Sequence, residues 1–349
     1  LNLARARHGL TGINPSVGCV IVKNDEIISI GQTGFNGKTH AEQNAIKFSN
    51  EKLEGSIMYV TLEPCCHYGM TPPCTKKIIA NKIKKVFYSI EDIDKKVKGK
   101  SFKILRSKKI IVKKNLLKKN ISNFYLPYFF NRKNKMPFVT GKIAVSKNNL
   151  IYSKEKKKIT DIHSDKLTHF LRYKNDSLLI SYKTLNKDDP KLSCRLKGLN
   201  KFSPKRVILD NKLKTKTSSY IFKTANKNNT IIFYQNANKS KILLFKKKGI
   251  KLIKSDLIKN RYFNFKLVLK KLYIQGCRNL LVEGGNDLSK NIIKDKLFNQ
   301  FYLFKSINKL SKLSSYKDFN CFKDLSQNYK SKSKINTKFG IDSIILYKK

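Results

Sequence analysis

Two short segments of the chain carry residue types that could bind a metal ion and move protons. The first is His40-Ala41-Glu42, and the second runs from Glu63 to Cys74 and contains two cysteines that each follow a proline. One histidine and two cysteines make a three-ligand zinc site, which leaves the fourth tetrahedral position for water, as a catalytic zinc requires. In a first helical turn, Glu42 can face that water as a general acid/base. An H-x-E … P-C pattern is typical of zinc nucleobase deaminases.

Two less specific interpretations of these residues stay open. A structural zinc site would use four protein ligands, and Cys66 or His67 could supply the fourth. Without any metal, a histidine near a helix start is commonly a cap or core residue, and a lone cysteine behaves as a small, inert side chain. The combined pattern favours the catalytic site, and the turn over Asn14 to Gly18 is well placed to line its pocket.

The elements of an α/β unit must bring these segments together. Runs of β-branched residues over Val17–Val22 and Ile27–Ile30, joined by Lys23-Asn24-Asp25-Glu26, predict a hairpin. The remaining pattern predicts a helix from near His40, a strand over Ile57–Leu62, a helix from near Pro73, a strand over Val86–Ile90, and a polar helix and connector over 113–135. A hairpin followed by strands that alternate with helices argues for an α/β sandwich.

The second half of the chain also alternates strands with helices. Strands are expected over Phe138–Val145, Ser177–Tyr182, Arg206–Asp210, Thr230–Tyr234 and Asn279–Val282, with helices over His163–Tyr173 and Phe265–Gln275. This order predicts a mostly parallel, doubly wound sheet. The last strand meets Glu283-Gly284-Gly285 before a helix, an arrangement that can cradle a phosphate, although Gly-Gly turns alone are common. We therefore predict domains over 1–125 and 137–349 with a connector over 126–136.

Composition limits the classes of protein to which the chain can belong. Its 349 residues, 40% of them hydrophobic, suffice for two packed domains, and no apolar run approaches the ~18 residues of a membrane helix. The net charge of +52 could indicate a nucleic-acid partner, but 66 of the 75 basic residues are Lys and they are spread along the chain. No secretory signal pattern opens the sequence, and clustered cysteines suit a reducing compartment. We expect a cytoplasmic protein without a specific nucleic-acid or membrane partner.

The motifs of the first half resemble those of one family. They are Asn14-Pro15-Ser16-Val17-Gly18, His40-Ala41-Glu42, Thr61-Leu62-Glu63-Pro64-Cys65 and Thr71-Pro72-Pro73-Cys74. Eight residues separate Cys65 from Cys74, where most cytidine and tRNA deaminases have a C-x-x-C pair. The set resembles the bifunctional riboflavin-biosynthesis deaminase/reductases.

This resemblance implies a cytidine-deaminase-like α/β/α fold for the first domain and roles for six residues. The roles are binding of one zinc ion per chain by His40, Cys65 and Cys74, proton transfer by Glu42, and substrate contact by Asn14 and His67. The sequence departs from the family at three positions in the same loop. Cys66, Tyr68 and Met70 stand where the family commonly has serine, histidine and arginine.

The second half continues the resemblance, to the family's reductase domain. Its motifs are His169-x-Leu171-Arg172, Thr184-x-x-x-Asp188-Asp189-Pro190-x-Leu192-Ser193-x-Arg195 and Leu280-Leu281-Val282-Glu283-Gly284-Gly285. The resemblance implies a dihydrofolate-reductase-like α/β fold, with NADPH contacts at Ala144, Lys158, Thr184, Asp188, Gly285, Asn286, Asp287 and Leu288. It also implies that the phosphorylated sugar is held by Arg172, Lys191, Arg195 and Glu283.

Departures from the family are more numerous in this half. The usual Ser-x-Asp-Gly is replaced by Ser146-Lys147-Asn148-Asn149, and Lys158 stands where tryptophan is usual. Ser181 and Lys183 stand where glycines are expected. After Asn299 the family's closing motifs are hard to find within a segment rich in Lys, Ser and Asn.

Two successive reactions follow from the resemblance. Water activated by zinc would attack the amino-bearing carbon of 2,5-diamino-6-(5-phosphoribosylamino)pyrimidin-4(3H)-one, while Glu42 passes protons to the ring nitrogen and the leaving ammonia. NADPH would then reduce the ribosyl side chain to ribityl phosphate, and we expect a homo-oligomer. Two alternatives stay open: a deaminase with a degenerate reductase domain, and a nucleic-acid deaminase or RNA-binding protein. The sequence leaves the preference for NADPH over NADH undecided.

Overall fold

The structure is a computed structural model that describes residues 1–69, 71–154, 159–258, 261–313, 315–336 and 340–349. These residues form two compact units, 1–136 and 137–349. Each unit has its own central sheet and its own hydrophobic core, and both are of the expected α/β class. None of the described helices combines the length and apolarity that a bilayer-spanning helix requires.

Unit 1 is built around a five-stranded sheet. Its elements are α1 (Asn2–Arg7), β1 (Gly18–Lys23), β2 (Glu26–Gln32), α2 (Ala41–Lys47), β3 (Ile57–Val60), α3 (Cys74–Ala80), β4 (Lys85–Tyr88), α4 (Lys100–Ser107), β5 (Ile111–Lys114) and α5 (Lys118–Asn134). The strand order is β2-β1-β3-β4-β5. Strand β1 is antiparallel to β2 and β3, whereas β3, β4 and β5 are parallel.

The β1–β2 pair is the predicted hairpin. Because Lys23 pairs with Glu26, the connecting loop consists of Asn24 and Asp25 alone. These two residues have φ values of 49° and 62°, a left-handed conformation that Asn and Asp tolerate better than most residues. The tight turn sets the pairing next to it, the register shifts by one residue between Ile21 and Val22, and the core of the unit includes the buried Ala45 of α2.

Helix α5 belongs to unit 1, although the sequence analysis assigned residues 126–136 to a connector. Tyr125 is buried in the core of this unit, and its hydroxyl donates a hydrogen bond of 3.0 Å to the carbonyl of Ser16. One turn later, the Tyr128 hydroxyl donates to the Asp92 carboxylate at 3.0 Å. Both contacts join residues far apart in the sequence, and a polar helical pattern gives no signal for them.

Unit 2 is built around a nine-stranded sheet. Its strands are β6 (Phe138–Val145), β7 (Leu150–Ser153), β8 (Ser177–Ser181), β9 (Lys205–Leu209), β10 (Thr230–Tyr234), β11 (Lys251–Lys254), β12 (Leu257–Ile258), β13 (Tyr262–Phe263), β14 (Asn279–Val282), β15 (Gln300–Lys305), β16 (Tyr316–Asp318), β17 (Ser331–Ile335) and β18 (Ser343–Lys348). Its helices are α6 (Ile162–Lys174), α7 (Tyr182–Asp188), α8 (Tyr220–Lys223), α9 (Lys239–Lys247), α10 (Phe265–Ile274), α11 (Asn286–Lys294) and α12 (Phe322–Asn328).

The order of the large sheet is β11-β10-β9-β8-β14-β6-β15-β18-β17. The strands from β11 to β15 in this order are parallel, as predicted, and β18 and β17 are added antiparallel at one edge. Strands β12 and β13 form a small hairpin, and β16 pairs with β7. The parallel order brings the carboxyl ends of β9, β8, β14 and β6 to one edge, where ligands of doubly wound folds bind.

The segment after Asn299 completes this sheet, although its sequence shows no recognisable closing motif. Phe301 and Phe304 of β15 and Ile344 of β18 are buried. Gly141 of β6 lies directly against the ring of Phe301, so a methyl group there would overlap that ring. The exposed positions of β17 carry Ser and Lys, as does the rest of this low-complexity segment. The apolar alternation of the closing strands is therefore difficult to recognise in the sequence.

Candidate active sites

Three side chains of unit 1 form a cluster that suits a zinc ion. His40 is the N-cap residue of α2, Cys65 lies in the loop after β3, and Cys74 is the first residue of α3. The His40 Nδ1 atom lies 3.4 Å from the Sγ atom of each cysteine. All three ligand atoms lie within 4.8 Å of one another. A tetrahedral zinc about 2.1 Å from nitrogen and about 2.3 Å from sulfur separates such atoms by roughly 3.5 Å, so the donor set fits the ion.

Hydrogen bonds within the cluster favour the thiolate of Cys65. The Cys74 backbone N–H donates to Cys65 Sγ at 3.3 Å. The hydrogen bonds of Cys65 with Cys74 and His40 hold the pKa of its thiol well below the usual value. The same contact with Cys65 raises the pKa of His40 to about 9, so zinc binding must release protons from the cluster.

The fourth ligand of a structural zinc site is not found among the described residues. Cys66 directs its thiol away from the cluster, toward the Lys96 carbonyl at 3.4 Å. His67 is not part of the ligand group. It lines the adjacent cavity, and its Nδ1 atom is buried without a hydrogen-bond partner in the protein, as expected of a side chain that binds a ligand. A three-ligand site with an open position is the arrangement of catalytic zinc.

Glu42 is the buried carboxyl group next to the cluster. It is the second residue of α2 and is only 4% exposed. Burial raises the pKa of Glu42 to about 7, against a smaller opposite effect of His40. A carboxyl group with a pKa close to neutral can both accept and return a proton, which is the requirement for a general acid/base.

A cavity of about 260 Å³ opens beside the cluster. The predicted site residues Asn14, His40, Glu42, Cys65 and His67 line it, whereas Cys74 is fully buried and is not among the lining residues. Asn14 is held by its Nδ2 atom, which donates to the Gly37 carbonyl at 3.0 Å. Seven further lining residues come from outside the sequence motifs, and four of them are charged or aromatic: Asp92, Asp94, Tyr128 and Arg132.

Unit 2 contains a larger cavity, of about 750 Å³, at the carboxyl ends of the parallel strands. Of the predicted NADPH contacts, seven line it: Ala144, Thr184, Asp188, Gly285, Asn286, Asp287 and Leu288. The eighth, Lys158, lies outside the described residues. The volume suits a dinucleotide-sized ligand.

The predicted phosphate cradle is formed by Gly284, Gly285 and the first turn of α11. A methyl group on Gly284 would lie 2.9 Å from the end of the Leu288 side chain, which would have to shift to make room for it. At Gly285, which faces open space, a side chain would instead project freely. As the N-cap residue it provides no side chain to cap α11, and the N–H groups of the first turn stay available to an anion. The residues present therefore fit a bound cofactor phosphate.

Glu283 and Arg172 form a bidentate ion pair beside this cavity. Their two hydrogen bonds are both 2.7 Å long, and the side chains are only 15% and 11% exposed. Burial opposes ionisation of Glu283, but the Arg172 guanidinium outweighs it and holds the pKa of Glu283 below its usual value. Lys142, which also lines the cavity, has a pKa lowered by burial and was missed by the sequence analysis. The sequence signal that could have identified Lys142 is a charged residue within a strand whose other residues are uncharged.

Lys191 and Arg195, predicted to hold the sugar phosphate with Arg172, are exposed and do not belong to the described lining of the cavity. The Lys191 ammonium lies over the Tyr220 ring, 5.6 Å from its centre. The Arg195 backbone N–H donates to His169 Nδ1 at 3.2 Å. The sequence motifs predict one shared site for these residues. In the structure Glu283 lines the cavity, whereas Lys191 and Arg195 are exposed outside its described lining.

The departures from the family pattern preserve the local backbone. Asn149, in the place of the family's glycine, has φ 65°, which Asn accommodates. The Asn148 side chain accepts from Ser146 Oγ at 2.7 Å and from the Leu310 N–H at 3.0 Å, so it ties this turn to a distant loop. Ser181 caps α7 by accepting from the Thr184 N–H, and neither Ser181 nor Lys183 has the positive φ that would require glycine.

Comparisons with known proteins match both units. Residues 1–90 match the cytidine and deoxycytidylate deaminase zinc-binding region, and residues 141–306 match the RibD C-terminal domain. The riboflavin biosynthesis protein RibD of Aquifex aeolicus is 31% identical over 351 residues, which cover 100% of this chain and 96% of that protein.

Two solved structures share the fold over almost the whole chain. RibD of Acinetobacter baumannii, in its form 2, aligns with a TM-score of 0.84 at 25% identity, covering 99% of this chain and 96% of its own. A diaminohydroxyphosphoribosylaminopyrimidine deaminase/5-amino-6-(5-phosphoribosylamino)uracil reductase of Thermotoga maritima aligns with a TM-score of 0.79 at 26% identity, covering 99% of this chain and 95% of its own.

Proposed function

The chain belongs to the RibD family of riboflavin biosynthesis proteins, and we propose that unit 1 carries its deaminase activity and unit 2 its reductase activity. As a member of this family it is a bifunctional enzyme that uses zinc and NADPH. Its substrate is a small pyrimidine that carries a phosphorylated ribosylamine. The observation that carries the assignment of unit 1 is the His40–Cys65–Cys74 cluster with buried Glu42 beside it.

In unit 1, His40, Cys65 and Cys74 would hold the zinc. When bound, zinc supplies activation of water for attack on the amino-bearing carbon of the pyrimidine. Glu42 accepts one proton from the attacking water and delivers it to the ring nitrogen. It then accepts the second proton from the same oxygen and delivers it to the departing ammonia. A pKa of about 7 matches this role, because both protonation states are populated at neutral pH. Asn14 and His67 orient the ring from the cavity wall.

In unit 2, the cofactor phosphate would lie at Gly285 and the first turn of α11. Bound NADPH supplies the hydride. Residues 142 and 144 point to the same side of β6 because side chains alternate along a strand. Lys142 therefore lies beside the predicted NADPH contact Ala144, where its ammonium can donate a hydrogen bond to an oxygen of the sugar. Contact of Arg172, Lys191 and Arg195 with the sugar phosphate remains a prediction.

The degenerate-reductase alternative is the one that the first experiment must exclude. Zinc-loaded full-length protein is given the diaminopyrimidine substrate and NADPH, and ammonia release and NADPH oxidation are followed together. We expect both, with NADPH consumed only after deamination begins. The deaminated pyrimidine, supplied directly, is the control for the second step. Ammonia without NADPH loss would mean that only unit 1 is active, and neither signal from folded, zinc-loaded protein would contradict both assignments.

Two further properties are proposed, the cellular compartment and the state of assembly. Two thiolates in the zinc cluster require reduced cysteines, which supports the cytoplasm as the compartment. The expected homo-oligomer and the expected absence of a specific nucleic-acid partner stay predictions. Size-exclusion chromatography with light scattering, and binding to RNA at several salt concentrations, are the measurements that decide them.

A further inference from the structure

The strand order of unit 2 determines how a dinucleotide can lie along the cavity. At the carboxyl edge, β6, β14, β8 and β9 follow one another, with Ala144 on β6 and Asn211 just beyond β9. With the cofactor phosphate at Gly285 after β14, as in the proposed function, the nicotinamide extends toward Ala144. The adenosine then extends the other way, toward β9, two interstrand spacings or about 10 Å from β14.

The basic side chains of the cavity divide between its two ends. Five of them line it: Lys142, Lys183, Lys187, Arg261 and Lys317. Lys142 belongs to β6. The Lys187 ammonium lies over the Tyr152 ring, 2.9 Å from its centre, and Lys317 is the cross-strand partner of Tyr152 in the β7–β16 pair. Lys142, Lys187 and Lys317 therefore lie on the side of β6 and β7. Lys183 precedes Lys187 by one turn of α7 but directly follows β8, the neighbour of β9, and Arg261 follows the edge strand β11, so these two are the cations assigned to the adenosine end.

Lys183 and Arg261 reach the cavity from two well-defined positions. Lys183 is the second residue of α7, which directly follows β8, and the Ser181 cap secures this first turn. Arg261 lies in the turn of the β12–β13 hairpin, where its backbone N–H donates to the Ile258 carbonyl at 3.0 Å. That hairpin begins three residues after β11, which is the edge strand beyond β9 and β10. Both side chains are exposed to the solvent that fills the cavity.

The acidic residue at the end of β9 is not available to a ribose. NAD-specific sites use a carboxylate to accept hydrogen bonds from the ribose hydroxyls. Asp210 is fully buried, and its carboxylate accepts from the Lys214 N–H, the Thr215 N–H and the Thr215 hydroxyl. The next residue that lines the cavity is the neutral Asn211.

We propose that Lys183 and Arg261 bind the 2′-phosphate of the adenosine ribose and so select NADPH over NADH. The two cofactors differ only in this phosphate, which is a dianion near neutral pH. A lysine and an arginine can neutralise it with charge-assisted hydrogen bonds. The selection rests on the proposed binding of the cofactor in unit 2, and it uses a lysine at a position where related enzymes have glycine.

Equilibrium binding to the oxidised cofactors tests this assignment without turnover. Isothermal titration calorimetry would compare NADP⁺ with NAD⁺ on the full-length, zinc-loaded protein and on Lys183→Ala, Arg261→Ala and the double variant. Loss of one hydrogen bond to a charged group should weaken NADP⁺ binding about tenfold in each single variant and leave NAD⁺ binding within about twofold. The binding of adenosine 2′,5′-bisphosphate should weaken in parallel with that of NADP⁺, whereas the binding of 5′-AMP should not change.

A matched control separates a local contact from the general attraction of a strongly basic chain. Lys246 of α9 is exposed and does not line the described cavity, so Lys246→Ala removes the same charge without touching the site. It should leave both affinities unchanged. Equal weakening of NADP⁺ and NAD⁺ in the Lys183 and Arg261 variants, or unchanged NADP⁺ affinity, would overturn the selection. Wild-type protein that binds neither cofactor would instead contradict the proposed function of unit 2.

Discussion

Replacement of Glu42 by glutamine should separate catalysis from zinc binding in unit 1. Glutamine keeps the shape of the side chain but cannot carry a proton between the ring nitrogen and the leaving ammonia. Loss of a general acid/base typically costs a factor of about 10² to 10⁴ in rate, so kcat for ammonia release should fall by that amount. Zinc should be retained, because the ligand group of the described residues consists of His40, Cys65 and Cys74.

The same variant should be more stable than the wild type when both are free of zinc. Burial raises the pKa of Glu42 from 4.5 to about 7, and at 1.36 kcal/mol per pH unit this rise is equivalent to about 3 kcal/mol. The folded protein binds the extra proton between these pH values, so the contribution of Glu42 to stability is greatest below about pH 4.5 and is lost as pH rises through about 7. Glutamine has no ionised form, and it removes this decline.

Four measurements check this reasoning, and the first three use one preparation. Ammonia release reports the deaminase, NADPH oxidation with the deaminated pyrimidine reports unit 2, and metal analysis reports zinc. Urea unfolding of chelator-treated protein, followed between pH 5 and pH 8, should show the stability difference between Glu42→Gln and wild type growing with pH. Substantial deamination by the variant would refute the assigned role of Glu42. A stability difference that does not depend on pH would refute the argument from burial, and loss of reductase activity would indicate misfolding.

Three further substitutions test the geometry of the two sites. Cys74→Ser leaves two zinc ligands, so it should lose chelator-resistant zinc, and deamination should fall to background. Cys66→Ser should keep both the zinc and the deaminase activity. Loss of zinc from Cys66→Ser would identify Cys66 as a fourth ligand. Gly31→Ala places a methyl group against the backbone at the start of α2, so the free energy of unfolding should fall by about 1–3 kcal/mol. Deamination should become slower while the reductase activity stays unchanged. Unchanged stability in urea would contradict this packing. Glu283→Gln leaves the buried Arg172 guanidinium without a counter-charge, so the free energy of unfolding of unit 2 should fall by about 3–5 kcal/mol in thermal or urea unfolding. A decrease below about 1 kcal/mol would show that water compensates the charge.

The sequence alone determined the zinc chemistry of this protein. The candidate ligands lie in two short segments, and Cys65 and Cys74 flank a single loop between a strand and a helix. Residue type and spacing therefore constrain the site strongly, and the same holds for the Gly284-Gly285 cradle, which joins adjacent elements. The long parallel strands of unit 2 were predictable for a similar reason, since continuous apolar runs such as Thr230–Tyr234 mark buried strands.

Contacts between distant parts of the chain were decided only by the tertiary structure. Helix α5 brings Tyr128 and Arg132 to the cavity of unit 1, and no motif announces either residue. In unit 2, Lys142 lines the cavity whereas the motif residue Arg195 is exposed, and the closing strands form despite a low-complexity sequence. The physical reason is common to these cases. Which side chains reach a cavity, and which strands pair, depends on packing between segments that are distant in the sequence, and local sequence patterns do not encode that packing.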